Sequence, residues 1–231
     1  MRFMKLIITL FLFLTPLFVF SQGNASVKKG TFSLDPFDKI EASKGINVTL
    51  EEDKEEKMLV EIENGEVGDV IYSVEGKTLK VKMKTSIGKG VVVRCTIYYK
   101  TLISISSSMG ASVDNNGTLY GDILKLSATS DANMTLNVDV KRIDATSSIG
   151  KIIVSGVTEF QEVAANTGGK YLANELESKQ ALLKASTGAT IEANVSEKVD
   201  SKASSGATID IIGDPKSVKW EENFGGKVTP H

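Results

Sequence analysis

The chain has 231 residues, 41% apolar and 24% charged, which suits a folded protein with one good-sized core or two small ones and is too apolar for a disordered chain. With 27 Lys and Arg against 29 Asp and Glu the net charge is -2, so there is no basic field to hold a phosphate backbone and nucleic acid is not an expected partner. One His, one Cys and one Trp leave no material for His-based triads, Cys/His zinc sites or a disulfide framework, and no cofactor or metal is expected.

Residues 1–21 read as a signal peptide: Arg2 and Lys5 supply a positive start, Leu6 to Phe20 is nearly pure apolar, and Val19 and Ser21 precede a cut before Gln22. The apolar run is shorter than the roughly 20 residues that span a bilayer, so no transmembrane segment is expected after its removal. No Cys follows it, so a lipid anchor has no attachment point. Residues 22–36 are expected to be a flexible start.

Residues 37–105 read as a β-rich N-terminal lobe with strands at Lys39 to Ala42, Ile46 to Leu50, Met58 to Ile62, Val70 to Val74, Thr78 to Met83 and Val91 to Tyr99. Val74 to Leu79 reads as an antiparallel hairpin with Gly76-Lys77 at its tip. Gly76-Lys77-Thr78 is not a phosphate-binding loop, because Ile71 stands where a Gly is needed and a strand follows instead of a helix. Gly88-Lys89-Gly90 reads as a turn and Glu51 to Lys57 as a solvated charged loop. Cys95 shares a strand face with Val91, Val93, Ile97 and Tyr99 and reads as a buried, inert thiol.

Residues 106–231 carry a repeat. Ser-Thr-Gly-Ala-Thr-Ile at 186–191 is echoed by Ser-Ser-Gly-Ala-Thr-Ile at 204–209, and anchors at Gly110, Asp131, Gly150, Gly168, Gly188, Gly206 and Gly225 give a period of about 19 residues. Three after each anchor stand Val113, Met134, Ile153, Tyr171, Ile191, Ile209 and Val228, all apolar and expected in a core. Five before come Ile105, Leu126, Ala145, Val163, Leu183, Ser201 and Trp220; two before come small polar residues able to form a ladder. So short a repeat cannot bury its own apolar face and must stack, which predicts an all-β fold: a right-handed parallel β-helix, or β-solenoid. The anchors are read as structural turns with φ above zero, a conformation that Gly tolerates and Asp tolerates next best. Leu172 to Lys184 is rich in helix formers, but the repeat frame runs through it and strand is expected. The N-terminal lobe is expected to cap the first coil, with Pro215, Trp220 and Pro230 at the far end.

Phe37-Asp38-Lys39-Ile40, Lys44-Gly45-Ile46-Asn47-Val48, the Gly76-Lys77-Thr78-Leu79 hairpin, the repeated Ser/Thr-Gly-Ala turns and Gly213-Asp214-Pro215 together resemble the putative auto-transporter adhesin, head GIN domain family, exported β-rich proteins found largely in Bacteroidetes. Its motif is the triplet Gly45, Ile46 and Asn47. The resemblance implies a bent, two-lobed right-handed β-helix, a periplasmic, cell-surface or extracellular location and an adhesin-like role; it implies no catalytic residues. Asp131, Ile149 and Lys151 depart from the family's Ser-Gly-Ser-Gly pattern, and Phe224-Gly225-Gly226 stands in the last turn.

The candidate binding surface is an outward strip two residues after each anchor, Ser112, Asn133, Ile152, Lys170, Thr190, Thr208 and Lys227, suited to a surface glycan or protein. A cell-envelope structural or signalling role is the alternative. A polysaccharide-active β-helix enzyme comes third, with Asp114, Asp122, Asp131, Asp139 and Asp144 as its available carboxylates. Asp114-Asn115-Asn116-Gly117 reads as an ordinary turn whose oxygens could at most hold a weak calcium ion.

Overall fold

A computed structural model describes residues 27–84 and 90–231, so the expected signal segment and Gly88-Lys89 of the expected turn lie outside the described residues. Among the described residues seventeen strands share one sheet. In chain order they are β1 (Val27–Ser33), β2 (Lys39–Ser43), β3 (Asn47–Glu52), β4 (Lys57–Glu63), β5 (Val70–Glu75), β6 (Thr78–Met83), β7 (Val92–Tyr99), β8 (Ser104–Ser108), β9 (Ser112–Asn115), β10 (Leu119–Thr129), β11 (Asn133–Ser148), β12 (Lys151–Asn166), β13 (Lys170–Ala185), β14 (Thr190–Ser204), β15 (Thr208–Ile212), β16 (Ser217–Asn223) and β17 (Lys227–Pro230). The helix formers of Leu172 to Lys184 lie inside β13: Leu172 sits between Ile153 and Glu192 in the ladders, and cross-coil pairing overrides local propensity.

From β8 onward each coil lies parallel on the one before. Ile105, Leu126, Ala145, Val163, Leu183, Ser201 and Trp220 form one continuous ladder, as the repeat frame requires. Ser201 keeps its inward place because its hydroxyl donates to the Lys219 carbonyl at 3.3 Å, which satisfies a buried polar group. Val113, Met134, Ile152, Tyr171, Ile191, Ile209 and Val228 form the second inward ladder. One apolar core runs from Phe37 to Val228.

The coil turns take their shape from two successive residues with positive φ. At Met109-Gly110 the angles are 52° and 73°, and Ala111 N–H closes the turn on Ser108 O at 3.2 Å, the type I′ geometry that Gly favours at its second place. Ser130-Asp131, Thr167-Gly168, Thr187-Gly188, Ser205-Gly206 and Phe224-Gly225 repeat it. Gly150 does not. The third turn is one residue shorter, Ile149 alone carries positive φ, and Gly150 takes the place that Ala132 holds in the coil below and Gly169 in the coil above. Its glycine is needed for close approach instead: a Cβ there would lie 2.6 Å from Ala128 O. The same shortening moves Ile152 into the core and leaves Ile153, expected there, partly exposed.

The N-terminal strands extend this solenoid without a break at residues 105–106. β2 pairs in parallel with β8 and β6, and β3 with β9 and β7, so the coil made first in the chain is sandwiched between two made later. Lys44-Gly45, with φ of 59° and 71°, is a seventh turn of the same kind. The Gly76-Lys77 hairpin pairs β5 antiparallel to β6; β4 runs antiparallel to β7 and β1 to β4, so antiparallel strands close this end. β1 lies within residues 22–36, where no strand was anticipated: alternate residues Gly30 and Phe32 turn toward the core while Lys28 and Lys29 pair with Glu66 and Glu61.

Candidate interaction surfaces

Ser112, Asn133, Lys170, Thr190, Thr208 and Lys227 lie in one parallel ladder. Two corrections complete it. Lys151, not Ile152, holds the third place, because of the short turn. Asn47 extends the ladder by one coil, paired with Ser112, so Gly45-Ile46-Asn47 is the counterpart of Gly110-Ala111-Ser112. Seven steps between coils make a strip about 34 Å long. The repeat frame itself contained the signal for Asn47: Ile40, Ser43 and Val48 stand at the same offsets from Gly45 as Ile105, Ser108 and Val113 from Gly110.

At the short turn the strip forms a shallow, open cleft of about 370 Å³ lined by Asp131, Asn133, Ile149, Gly150, Lys151 and Lys170. Lys151 and Lys170 are directly paired across adjacent strands, and no ion-pair partner is found for either among the described residues. Like charges in directly opposed positions destabilise a sheet. Ile149 adds strain, since a β-branched residue at φ 49° is disfavoured, and half of its surface stays in solvent.

Of the five carboxylates weighed above, Asp122 and Asp144 are held by cations, whereas no ion-pair partner is found for Asp114, Asp131 or Asp139 among the described residues. Asp144 and Glu162 lie side by side on neighbouring coils and both accept from Arg142, at 2.6 Å each; Asp144 first and then Glu162 hold the guanidinium pKa above its usual value. Arg142 also covers the Phe160 ring at 4.7 Å. Asp122 pairs with Lys141 at 2.6 Å and raises its pKa.

In the Asp114 to Gly117 turn the amides strap coils together. Asn115 Nδ2 donates to Gly117 O and Asn137 O at 3.0 Å, Asn115 Oδ1 accepts from Asn137 N–H at 2.8 Å, and Asn116 Nδ2 donates to Glu51 at 3.0 Å. No group of three His, Cys, Asp or Glu with metal-binding proximity occurs among the described residues. Cys95 is buried between Val48 and Val60, and desolvation pushes its thiol up to about 12.

Tyr171, expected in the core, is fully buried, but Trp220, at the offset five before the anchor, is 53% exposed. It holds the inward ladder position of the last coil, where nothing stacks above it among the described residues. At the same end Glu222 folds over the edge and accepts from Val228 N–H at 2.7 Å, while Pro230 offers no N–H.

A family model for the putative auto-transporter adhesin, head GIN domain, matches residues 36–215. A putative adhesin from Bacteroides fragilis superposes with a TM-score of 0.81 at 17% identity, over 89% of this chain and 97% of that one. A putative lipid binding protein from Parabacteroides distasonis gives 0.68 at 17% identity, over 90% and 98%, and a putative adhesin from Parabacteroides merdae gives 0.65 at 17%, over 90% and 98%. At such identities the likeness shows the fold. No curated protein matches the sequence, and no helix among the described residues is long and apolar enough to cross a membrane.

Proposed function

The chain belongs to the putative auto-transporter adhesin, head GIN domain family, and from that premise we propose that it is an exported, non-enzymatic interaction protein, released from its signal segment near Gln22 and acting at the cell surface or outside it. The observation that carries this reading is the Lys151–Lys170 pair in the strip's cleft. Two unneutralised ammonium groups in directly opposed ladder positions cost folding energy and gain it back when an anionic partner bridges them. Beside them Asn133 can donate to an anionic group and Asp131 can accept from a neighbouring hydroxyl or amide, a set suited to an acidic surface glycan or an acidic protein loop. The carboxylates bound by Arg142 and Lys141 support a non-catalytic reading, because a glycosidase acid must be free to give up a proton.

The test has two parts. Protease treatment of intact cells should digest the protein, or the protein should be recovered from the medium; protection until the outer membrane is opened would favour the envelope role instead. The purified mature chain on an array of acidic and neutral glycans should retain acidic ones, with Lys151→Glu plus Lys170→Glu abolishing retention. Equal retention by the double variant would refute the cleft assignment.

A further inference from the structure

On a separate face the solenoid presents an apolar groove of about 750 Å³ where the third side of the coils begins, lined by Leu102, Ile103, Tyr120, Ile123, Lys39 and Lys125. We propose that this groove receives an extended, acidic-flanked apolar peptide of a partner protein, added along the free edge of Leu119–Ile123.

Four observations point there together. The first is an open edge: residues 119–123 pair with Val138–Arg142 on one side, and β10 meets β8 only from Lys125 onward. Alternate N–H and C=O groups of a parallel strand face each neighbour, so half of those in this segment have no backbone partner among the described residues. The second is exposure. Tyr120 through Ile123 are four consecutive exposed residues within a strand, Tyr120 at 63%, whereas the rest of β10 alternates.

The third is Gly121, which the fold does not demand. Its φ is not positive, and a Cβ would meet nothing nearer than Leu102 O and Val140 Cγ1 at 3.9 Å. A glycine in a strand without such a need leaves room for another backbone to come close. The fourth is charge. No ion-pair partner for Lys39 or Lys125 is found among the described residues, and the groove's Asp122 is already neutralised by Lys141. The free backbone groups favour a peptide over an acyl chain, which could not use them, and the two lysines favour acidic residues at its ends. Leu102 is held as the floor by Ile103 N–H donating to Asp38 O and Lys125 N–H to Ile103 O, both at 2.9 Å, so the groove is preformed.

The probe is a synthetic peptide, acetyl-Asp-Val-Thr-Val-Thr-Val-Asp-amide, added to the mature chain. Binding is read by fluorescence anisotropy and the contact by amide hydrogen exchange. Exchange at Tyr120 to Asp122 should slow, and Ile123→Glu, or Lys39→Glu with Lys125→Glu, should weaken binding at least tenfold. Gly121→Val keeps the fold, since its side chain has room, and should block the peptide. A Lys-ended peptide should bind at least tenfold less well. Lys151→Glu with Lys170→Glu, in the cleft proposed above, should leave peptide binding unchanged, which separates this groove from that cleft. No protection at millimolar peptide, indifference to the end charges, or protection by phosphatidylcholine/phosphatidylglycerol vesicles in place of the peptide would each overturn the proposal.

Discussion

Gly150 and Gly206 occupy equivalent places in the 19-residue spacing, yet the structure gives them opposite reasons to be glycine. Gly206 has φ +71°, and no atom of the described residues lies within 4 Å of where a Cβ would stand, so its constraint is conformational alone. Gly206→Ala should cost about 1–2 kcal/mol, the penalty of a left-handed L-residue, and Gly206→Asn less, because Asn tolerates that region. Gly150 lacks positive φ, but its Cβ would sit 2.6 Å from Ala128 O and 2.7 Å from Ala128 C, both backbone atoms with no rotamer to move aside. The two coils would have to part locally, so Gly150→Ala should cost about 3 kcal/mol, the upper end of overpacking penalties. Asn should be no better than Ala there, because conformational tolerance does not relieve a clash. Urea unfolding gives the ranking directly, and in thermal melts each kcal/mol corresponds to about 2–4 °C for a chain of this size. If Gly150→Asn were tolerated as well as Gly206→Asn, the shortened turn would be wrong and Gly150 would be an ordinary turn glycine.

Ile191→Ala, removing a fully buried side chain stacked between Tyr171 and Ile209, should cost about 2–5 kcal/mol, while outward Thr208→Ala should stay within about 0.5 kcal/mol; equal denaturation midpoints would refute the assigned facing. The buried Tyr171 hydroxyl has no partner among the described residues, so Tyr171→Phe should stabilise by about 1 kcal/mol, and a loss of stability would reveal a bonded hydroxyl. Cys95 should resist alkylation in the folded protein. Its folded pKa of about 12 lies above the ordinary 9.0, so its contribution to stability is complete below pH 9 and is lost as pH rises toward 12. Cys95→Val should flatten that alkaline decline, and an unchanged slope between pH 9 and 11 would assign it to other groups. Glu222→Ala should uncover Val228 N–H at the end of the sheet and shift sedimentation toward dimers; a strict monomer would show that Pro230 and the other charges suffice.

The fold was legible where inward positions repeat. Three offsets from a Gly anchor were enough to place Ile105, Leu126, Ala145, Val163, Leu183 and Ser201 in one ladder, because a parallel coil of fixed length brings the same offset to the same side. Legibility failed where length varied. One residue lost at Ile149-Gly150 exchanged Ile152 and Ile153, since side chains alternate and a single-residue slip reverses every facing until the next correction. The β2–β3 coil does not show as part of the repeat because its turn lies 65 residues before Gly110 in the chain while lying beside it in space. Trp220 obeyed the repeat in register and departed from it in burial, because the offset fixes which way a side chain points and says nothing of whether a further coil covers it.

The same asymmetry governs how far a site can be read from this sequence. Stacking constrains the inward half of every strand, so those positions repeat; the outward half needs only to be soluble, and a repeat there carries no message. Information about binding therefore sits where an outward residue breaks the rule of least cost. Lys151 opposed to Lys170, Ile149 in a left-handed turn, and Gly121 in a strand that does not require it are such breaks. Each costs stability that a neutral substitution would recover. Ile149 and Lys151 show in the sequence as departures from the family pattern, but the cost of Lys170 arises only from its partner on the next coil, and that of Gly121 only from the unpaired edge beside it, so neither stands out along the chain. Removing these costs one at a time, as Lys151→Thr, Ile149→Asn or Gly121→Thr, should raise the unfolding midpoint, and whichever gain comes with a loss of partner binding marks the residue that function holds in place.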